Sequence, residues 1–375
     1  VSGRRVVVKI GTSSVTDASG ELDDAALRKL CAELAGVRAA GDAVVLVCSG
    51  AIAAGLPALG LATRPTDVGT LQAIAAVGQP RLMERIGALL AGDGLVAGQV
   101  LLTPYDFVHR TQYLHARETL HRLLDLGVVP VVNENDAVAD DEIRYGDNDR
   151  IAALVANLVG ADTLLLLTDT AGMFTADPRL DDDASLIEEI TAVDDALEAV
   201  AGGTGSTRGS GGMASKLAAA KIASWSGVRA VIAASDQPGV VADALAGKAV
   251  GTVVVPHAAR LPSRKLWIAF AVGAAGRILV DAGARRALVA DGRSLLAAGV
   301  RAVEGDFEPD DAVEVVGEDG RVFAKGLVQY SAGALRAAAG RRSGDLPDDA
   351  PAEVIHRDDL VVLPTTNRTK SDKSL

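Results

Sequence analysis

The residues best equipped for chemistry lie where Gly202-Gly203-Thr204-Gly205-Ser206-Thr207-Arg208-Gly209-Ser210-Gly211-Gly212-Met213-Ala214-Ser215-Lys216 runs into an apolar helical pattern, Leu217, Ala218, Ala219, Ala220, Ile222 and Ala223. Glycines let backbone N–H groups wrap an anion without steric cost. A helix start adds unsatisfied donors and partial positive charge, and a first-turn lysine adds a full charge. Such a segment is equipped to hold a polyphosphate. It is not a Walker A loop, because Lys216 follows Ser215 and precedes Leu217. Gly209-Ser210-Gly211-Gly212-Met213-Ala214 fits the G-x-G-x-x-A dinucleotide pattern, but no apolar strand leads into it. A flexible Gly/Ser linker competes for the loop taken alone.

The elements around the loop decide between these readings. Apolar runs at Arg5–Ile10, Ala43–Cys48, Leu95–Leu102, Val128–Asn133, Thr163–Thr168 and Val228–Ala234 read as strands. They alternate with helical windows at Asp24–Ala40, Leu71–Leu90, Thr111–Leu126, Asp149–Val159 and Met213–Ser226. Nearly continuous apolar strands between helices indicate an α/β fold, a three-layer αβα sandwich with a mostly parallel central sheet. Ligands of such sheets bind at the carboxyl ends of strands. The polar clusters fall there: Lys9-Ile10-Gly11-Thr12, Ser49-Gly50, Asn133-Glu134-Asn135-Asp136 and Thr168-Asp169. Lys9 ends an apolar strand, a poor host for an ordinary solvated lysine, and Gly11 lets phosphate approach the backbone. Asn148 has a competing reading as the helix cap before Asp149–Val159, and Asn133 and Asp136 have one as turn formers.

Composition narrows the possibilities. A chain of 375 residues, 49% hydrophobic with only 3% aromatics, suits two domains. The formal charge of −12 disfavours general attraction to nucleic acid or anionic membrane. Cys31 and Cys48 have neither disulfide-framework nor metal-ligand spacing and read as buried thiols of a reducing cytoplasm. His109, His115 and His121 are six apart, off a common helical face, and Asp181-Asp182-Asp183 reads as a solvated loop. The uncharged stretch Ala43 to Thr63 is broken by Gly50, Gly55, Pro57 and Gly60, so it reads as strand, turn and helix rather than a membrane span. Past Pro256 the pattern changes. Residues 257–273 read as a linker, 274–359 as a small β-rich domain with strands at Arg277–Val280, Ala312–Val316 and Val322–Leu327, and 360–375 as a disordered tail.

Taken jointly and in order, the strand-end strings resemble the glutamate 5-kinases of the amino-acid kinase superfamily. The strings are Val8-Lys9-Ile10-Gly11-Thr12-Ser13, Ser49-Gly50-Ala51-Ile52-Ala53-Ala54-Gly55, Asn133-Glu134-Asn135-Asp136-Ala137-Val138 and Gly146-Asp147-Asn148-Asp149. Leu167-Thr168-Asp169, Thr175-Ala176-Asp177-Pro178-Arg179 and Gly211-Gly212-Met213-Ala214-Ser215-Lys216 follow. The C-terminal region is similar to a PUA domain. One departure is Ala214-Ser215, where the family often has Ser-Thr.

The resemblance implies a kinase domain over 1–256 that transfers the γ-phosphoryl group of ATP, with Mg2+, to the side-chain carboxylate of L-glutamate. It implies Lys9, Lys216 and Asp149 as catalytic residues. Ser49, Gly50, Ala51, Asn133, Asp136 and Asn148 would bind glutamate, Asp136 taking the ammonium, Ser49 and Asn148 the carboxylates. Lys9, Gly11, Thr168, Asp169 and Ser210, Gly211, Gly212, Met213, Ala214, Ser215 and Lys216 would bind ATP. It further implies L-proline as feedback inhibitor, a homo-oligomer, hand-over of product to glutamyl-phosphate reductase, and a cytoplasmic location without membrane association. A carboxylate is already an ionised nucleophile at neutral pH, so no general base is needed. Two competing readings are a related kinase for aspartate, N-acetylglutamate or UMP, and an RNA-binding regulator acting through the PUA-like region. Ala274 to His356 carries ten Lys/Arg against fourteen Asp/Glu, the wrong sign for tracking a phosphate backbone.

Overall fold

The computed structural model describes residues 3–17, 19–138, 148–202, 212–258, 260–347 and 350–363. It divides into two compact units, Val1–Arg260 and Leu261–Leu375. In the first, β1 (Arg5–Ile10), α1 (Asp24–Ala39), β2 (Ala43–Cys48), α2 (Ala51–Gly55), α3 (Val68–Gly92) and β3 (Ala97–Leu102) come first. Then follow α4 (Pro104–Val108), α5 (Arg110–Asp125), β4 (Val129–Glu134), α6 (Asn148–Val159), β5 (Thr163–Thr168), β6 (Glu189–Ile190) and α7 (Asp195–Gly202). α8 (Met213–Trp225), β7 (Arg229–Ala234), α9 (Val240–Leu245) and β8 (Thr252–Val254) complete the unit.

The strands form one sheet in the order β3-β4-β2-β1-β5-β7-β8-β6. All neighbours are parallel except β7 and β8. β1 pairs with β2 on one side and β5 on the other, Ile10 facing Cys48 and Leu167. The chain therefore steps outward from β1 in both directions, which makes its carboxyl end the topological switch point where such sheets open a crevice. Every residue of β2, β4 and β5 is buried, as strands covered on both faces require. One face packs Val6, Val8 and Ile10 against Leu27, Leu30 and Leu34 of α1 and Leu82, Ile86 and Leu90 of α3. α5, α6 and α8 cover the opposite face.

α2 and α3 touch backbone to backbone. A Cβ on Gly78 would lie 1.8 Å from the carbonyl oxygen of Ala51, and one on Gly55 would lie 2.2 Å from that of Ile74. Only glycine fits either position. Gly50, at φ 113°, turns the chain from β2 into α2.

The second unit contains α10 (Ser263–Leu266), a π-helical turn (Trp267–Ala271), β9 (Gly276–Val280), α11 (Ala282–Val289) and β10 (Val300–Gly305). β11 (Ala312–Val316), β12 (Val322–Leu327), α12 (Ala332–Ala338) and β13 (Leu360–Val362) follow. Its sheet runs β10-β9-β11-β12-β13 around a core that includes Ile278, Val315, Phe323 and Leu335. Two boundaries differ from the sequence reading. Much of 257–273, expected to be linker, is helical, because Leu266, Trp267 and Ile268 are apolar and bury themselves. Leu360–Val362, read as the start of a disordered tail, pairs with β12 because its apolar side chains complete the sheet edge. Residues 364–375 lie outside the described residues.

Candidate active site

Side chains alternate along a strand. Val6, Val8 and Ile10 face the α1/α3 layer, so Lys9 projects to the other side, where α6 begins. Asp149 stands in the first turn of α6, and Lys216 in the first turn of α8. The three converge. Lys9 Nζ pairs with Asp149 Oδ1, and Lys216 Nζ with Asp149 Oδ2 at 3.2 Å. Ser215 Oγ reaches Asp149 Oδ2 at 2.8 Å and the Gly212 carbonyl at 2.9 Å, donating its one proton to either. Lys9, Asp149 and Lys216 are only 2%, 0% and 5% exposed. Burial alone would raise the Asp149 pKa, but the two ammonium groups and the Ser215 hydroxyl outweigh it and hold the carboxyl below its ordinary range. Two cations against one anion leave this cluster one positive charge in excess.

A cavity of about 360 Å³ opens beside Lys216, walled by Thr168, Asp169, Phe174, Arg179 and Met213 among others. Thr168 Oγ1 donates to Asp169 Oδ1 at 3.1 Å. Asp177 clamps the Arg179 guanidinium through Nε at 3.0 Å and Nη2 at 2.7 Å, and these bonds push the Asp177 carboxyl down to about 2. Gly212, extended at φ −77°, precedes α8 and gives it no side-chain cap, which leaves the first-turn N–H groups without a capping side chain among the described residues. Phe174 and Arg179 were not singled out by sequence reasoning, although Arg179 closes one of the quoted strings. Their signal was a loop adjoining a strand end.

On the other side of the α6 start lies a chain of neutral side chains. Asn148 Nδ2 donates to Ser49 Oγ at 2.8 Å and to Asn133 Oδ1 at 3.0 Å. Asn133 Nδ2 in turn donates to Gln79 Oε1 at 2.7 Å. Asn148 thus spends its side chain across the cleft rather than capping α6, of which it is the first helical residue. With Nδ2 taken, its Oδ1 is left without a partner among the described residues. Asn133, read alternatively as a turn former, lies in β4. A cavity of about 160 Å³ lies beside this chain, bounded by Ala51, Gln79, Gln99, Leu101, Glu134 and Asp136. At ~30 Å³ per water that is about five waters, the bulk of a small metabolite. Burial pushes the Asp136 carboxyl up, and the Arg64 charge partly opposes it.

The structure therefore brings Lys9, Asp149 and Lys216 together, and Ser49, Asn133 and Asn148 together. Gly50 and Ala51 sit at the turn beside the second group, Asp136 in its cavity, and Gly11 next to Lys9. Thr168, Asp169, Gly212 and Met213 wall the nucleotide-sized cavity, with Ala214 and Ser215 in the first turn of α8. Ser210 and Gly211 lie outside the described residues. Gln79 was missed altogether. Its signal was a polar residue inside the apolar window Leu71–Leu90, followed by Pro80. A larger hollow of about 410 Å³ beside Asp24, Arg81 and Arg85 contains none of the predicted residues, and Arg85 there is already paired with Asp24.

Comparison with known proteins bears on the same residues. The amino acid kinase family matches residues 4–234, and the PUA domain matches 276–347. A glutamate 5-kinase of Moorella thermoacetica is 46% identical over 364 residues, 96% of either chain. Those of Trichlorobacter lovleyi and Burkholderia multivorans are each 45% identical over 96% of this chain, covering 97% and 98% of their own. With its buried Lys9–Asp149–Lys216 cluster at the switch point of a parallel sheet, and with these relatives along nearly its whole length, the chain belongs to the amino acid kinase family, in the branch of the glutamate 5-kinases.

Proposed function

We propose that the chain transfers the γ-phosphoryl group of ATP to the side-chain carboxylate of L-glutamate, forming L-glutamyl 5-phosphate, the first step of proline biosynthesis. One observation carries the reading: Asn148 and Asp149, adjacent in sequence, join a neutral amide cluster to a doubly cationic one at the start of α6. A carboxylate oxygen of glutamate attacks the γ-phosphorus while the bond from that phosphorus to the bridging oxygen of ADP breaks. No proton moves. The difficulty is bringing anion to anion, and Lys9 and Lys216 meet it with fixed positive charge. Asp149 keeps both ammonium groups aimed. Ser49, Asn133, Asn148 and Asp136 hold the amino acid, with its ammonium toward Asp136. Mg2+ favours phosphate oxygens and water over a dedicated protein cage, and the Asp169 carboxylate on the cleft wall is an oxygen of the kind it takes. When bound, it neutralises phosphate charge.

The test is ADP release with Mg-ATP and a panel of glutamate, aspartate, N-acetylglutamate and UMP, with hydroxylamine present to trap an acyl phosphate as its hydroxamate. Glutamate alone should give stoichiometric hydroxamate. ADP release with UMP or N-acetylglutamate in preference to glutamate would overturn the reading.

The same reading includes L-proline as inhibitor, since it shares glutamate's α-carboxylate and ammonium but lacks the attacking group. It would occupy part of the shell around Ser49, Asp136 and Asn148, so rising glutamate should relieve inhibition. Inhibition unchanged at saturating glutamate would argue against overlap. An acyl phosphate hydrolyses readily, which favours direct hand-over to glutamyl-phosphate reductase. A homo-oligomer formed through the kinase unit and a cytoplasmic location complete the reading. Among the described residues no helix is long and apolar enough to cross a membrane.

A further inference from the structure

The amide chain Gln79–Asn133–Asn148–Ser49 has a direction, and one backbone group sets it. The Glu134 N–H, which can only donate, gives its proton to Asn133 Oδ1 at 2.9 Å. That makes Oδ1 the acceptor of the Asn133 carboxamide and Nδ2 its donor. The neighbours must then follow. Asn148 presents Nδ2 to Asn133 Oδ1, and Gln79 presents Oε1 to Asn133 Nδ2. No carboxamide in the chain can be turned over without setting two donors or two acceptors face to face. Gln79 is consequently left with its NH2 group free. This nitrogen has no hydrogen-bond partner among the described residues, and Gln79, only 7% exposed, lines the small cavity that also contains Asp136. A second irregularity adds to it. Pro80, inside α3, offers no N–H to the carbonyl of Ala76, four residues earlier, and Ala76 lines the same cavity.

We propose that Gln79 is a specificity-determining residue for the acceptor, its side-chain NH2 donating to the α-carboxylate of the amino acid while Asp136 takes the ammonium. This rests on the proposed transfer to glutamate. A donor that opens on a cavity can be satisfied by what enters it, and a carboxylate is the acceptor that an amino acid brings. The cavity thus offers an amide donor, with Asp136 and Glu134 on its wall, to the two charges of a zwitterion, and an acceptor lacking the α-carboxylate leaves Gln79 unsatisfied.

The decisive variant is Gln79→Glu, which keeps an oxygen to accept from Asn133 Nδ2 but replaces the NH2 donor with a second acceptor. Initial rates for wild type and variant are measured by hydroxamate formation, with glutamate and with its α-amide as acceptors. Wild type should prefer glutamate over the α-amide by at least about 30-fold in kcat/KM, the worth of a hydrogen bond to a charged group. Gln79→Glu should raise the KM for glutamate by a similar factor, leave the KM for ATP within about twofold, and collapse the preference. An unchanged glutamate KM in Gln79→Glu would overturn the proposal. So would a wild-type enzyme that uses both acceptors equally, a result that needs no variant to fold. A wild type that yields no hydroxamate from glutamate would sink the proposed function itself, a distinct outcome.

Discussion

On one side of the α6 start the cleft is held by a buried ion cluster, and on the other by a chain of neutral amides beside the carboxylates of Glu134 and Asp136. Lys9, Asp149 and Lys216 sit almost without solvent and carry a net positive charge, an arrangement that costs the folded protein stability. Gln79, Asn133, Asn148 and Ser49 carry none and are linked by three bonds between 2.7 and 3.0 Å, with Asn148 Oδ1 left without a partner among the described residues. The difference follows from what each side must do. In the proposed transfer, charge moves from a phosphoryl group to a departing nucleotide on the first side, and fixed charge in a dry site would stabilise that movement. On the second side the substrate's charges stay where they are. Directional donors and acceptors can sort them without neutralising the carboxylate that must attack.

The sharpest way to break this contrast is to remove a cation. Lys216→Ala and Lys9→Ala should each lower kcat by about a thousandfold or more, while the KM for glutamate changes little. Near-normal kcat in a folded variant would deny the charged side its role.

Next in size is Asp149→Asn, which abandons two buried ammonium groups. Unfolding in urea should show a loss of about 3–5 kcal/mol at neutral pH. The sign with pH is fixed. The folded carboxyl titrates below its ordinary 3.8, so its contribution is complete above that value and is lost as pH falls through the depressed folded value. The variant's stability should therefore lack that acid limb. Equal stability of both proteins from neutral pH to 4 would show that the cluster needs no counter-charge.

A smaller effect is expected on the neutral side. Asp136→Asn and Asn148→Ala should raise the KM for glutamate about 10- to 100-fold with the KM for ATP within a fewfold. The Asp136 carboxyl titrates above the ordinary 3.8, and only its ionised form pairs with ammonium. Glutamate affinity should then weaken as pH falls through that raised value. Arg64→Ala, which removes the opposing charge, should move the weakening to higher pH. Movement the other way would show that Arg64 does not face Asp136. The smallest change should follow truncation after Arg260: each unit has its own core, and both sides of the cleft precede residue 217. Steady-state constants close to those of the full chain are expected, and an insoluble product would contradict independent folding.

Much of this was legible before any coordinates. β1, β2 and β5 coincide with their apolar runs because strands covered on both faces need every residue buried. β6 and β8, of two and three residues, are too short to carry a period. β10 was missed because its side chains are mostly half-buried or exposed, which blurs alternation. In the site, Lys9 announced itself as a cation within an apolar run, and Lys216 by its glycine-rich approach. The polarity of the amide chain had no trace in sequence. It depends on a backbone N–H of Glu134 meeting one oxygen, a fact of geometry that residue types do not encode. Gln79 stayed hidden for a related reason: one polar residue on a long amphipathic helix looks like any other.

The contact of α2 with α3 through Gly55 and Gly78 bears on how such an enzyme could evolve or be redesigned. Ala51 and Gln79, on opposite helices, form part of the wall of the proposed acceptor cavity, and the backbones behind them already touch. Neither helix can be pushed inward to grip a shorter acceptor, and any side chain at the two glycines would pry that wall apart. Adaptation to a longer or bulkier acid must come from trimming elsewhere on the wall, at Gln99 or Leu101, with the α2–α3 contact held constant. A library aimed at new acceptors should place its diversity there and leave positions 55 and 78 alone.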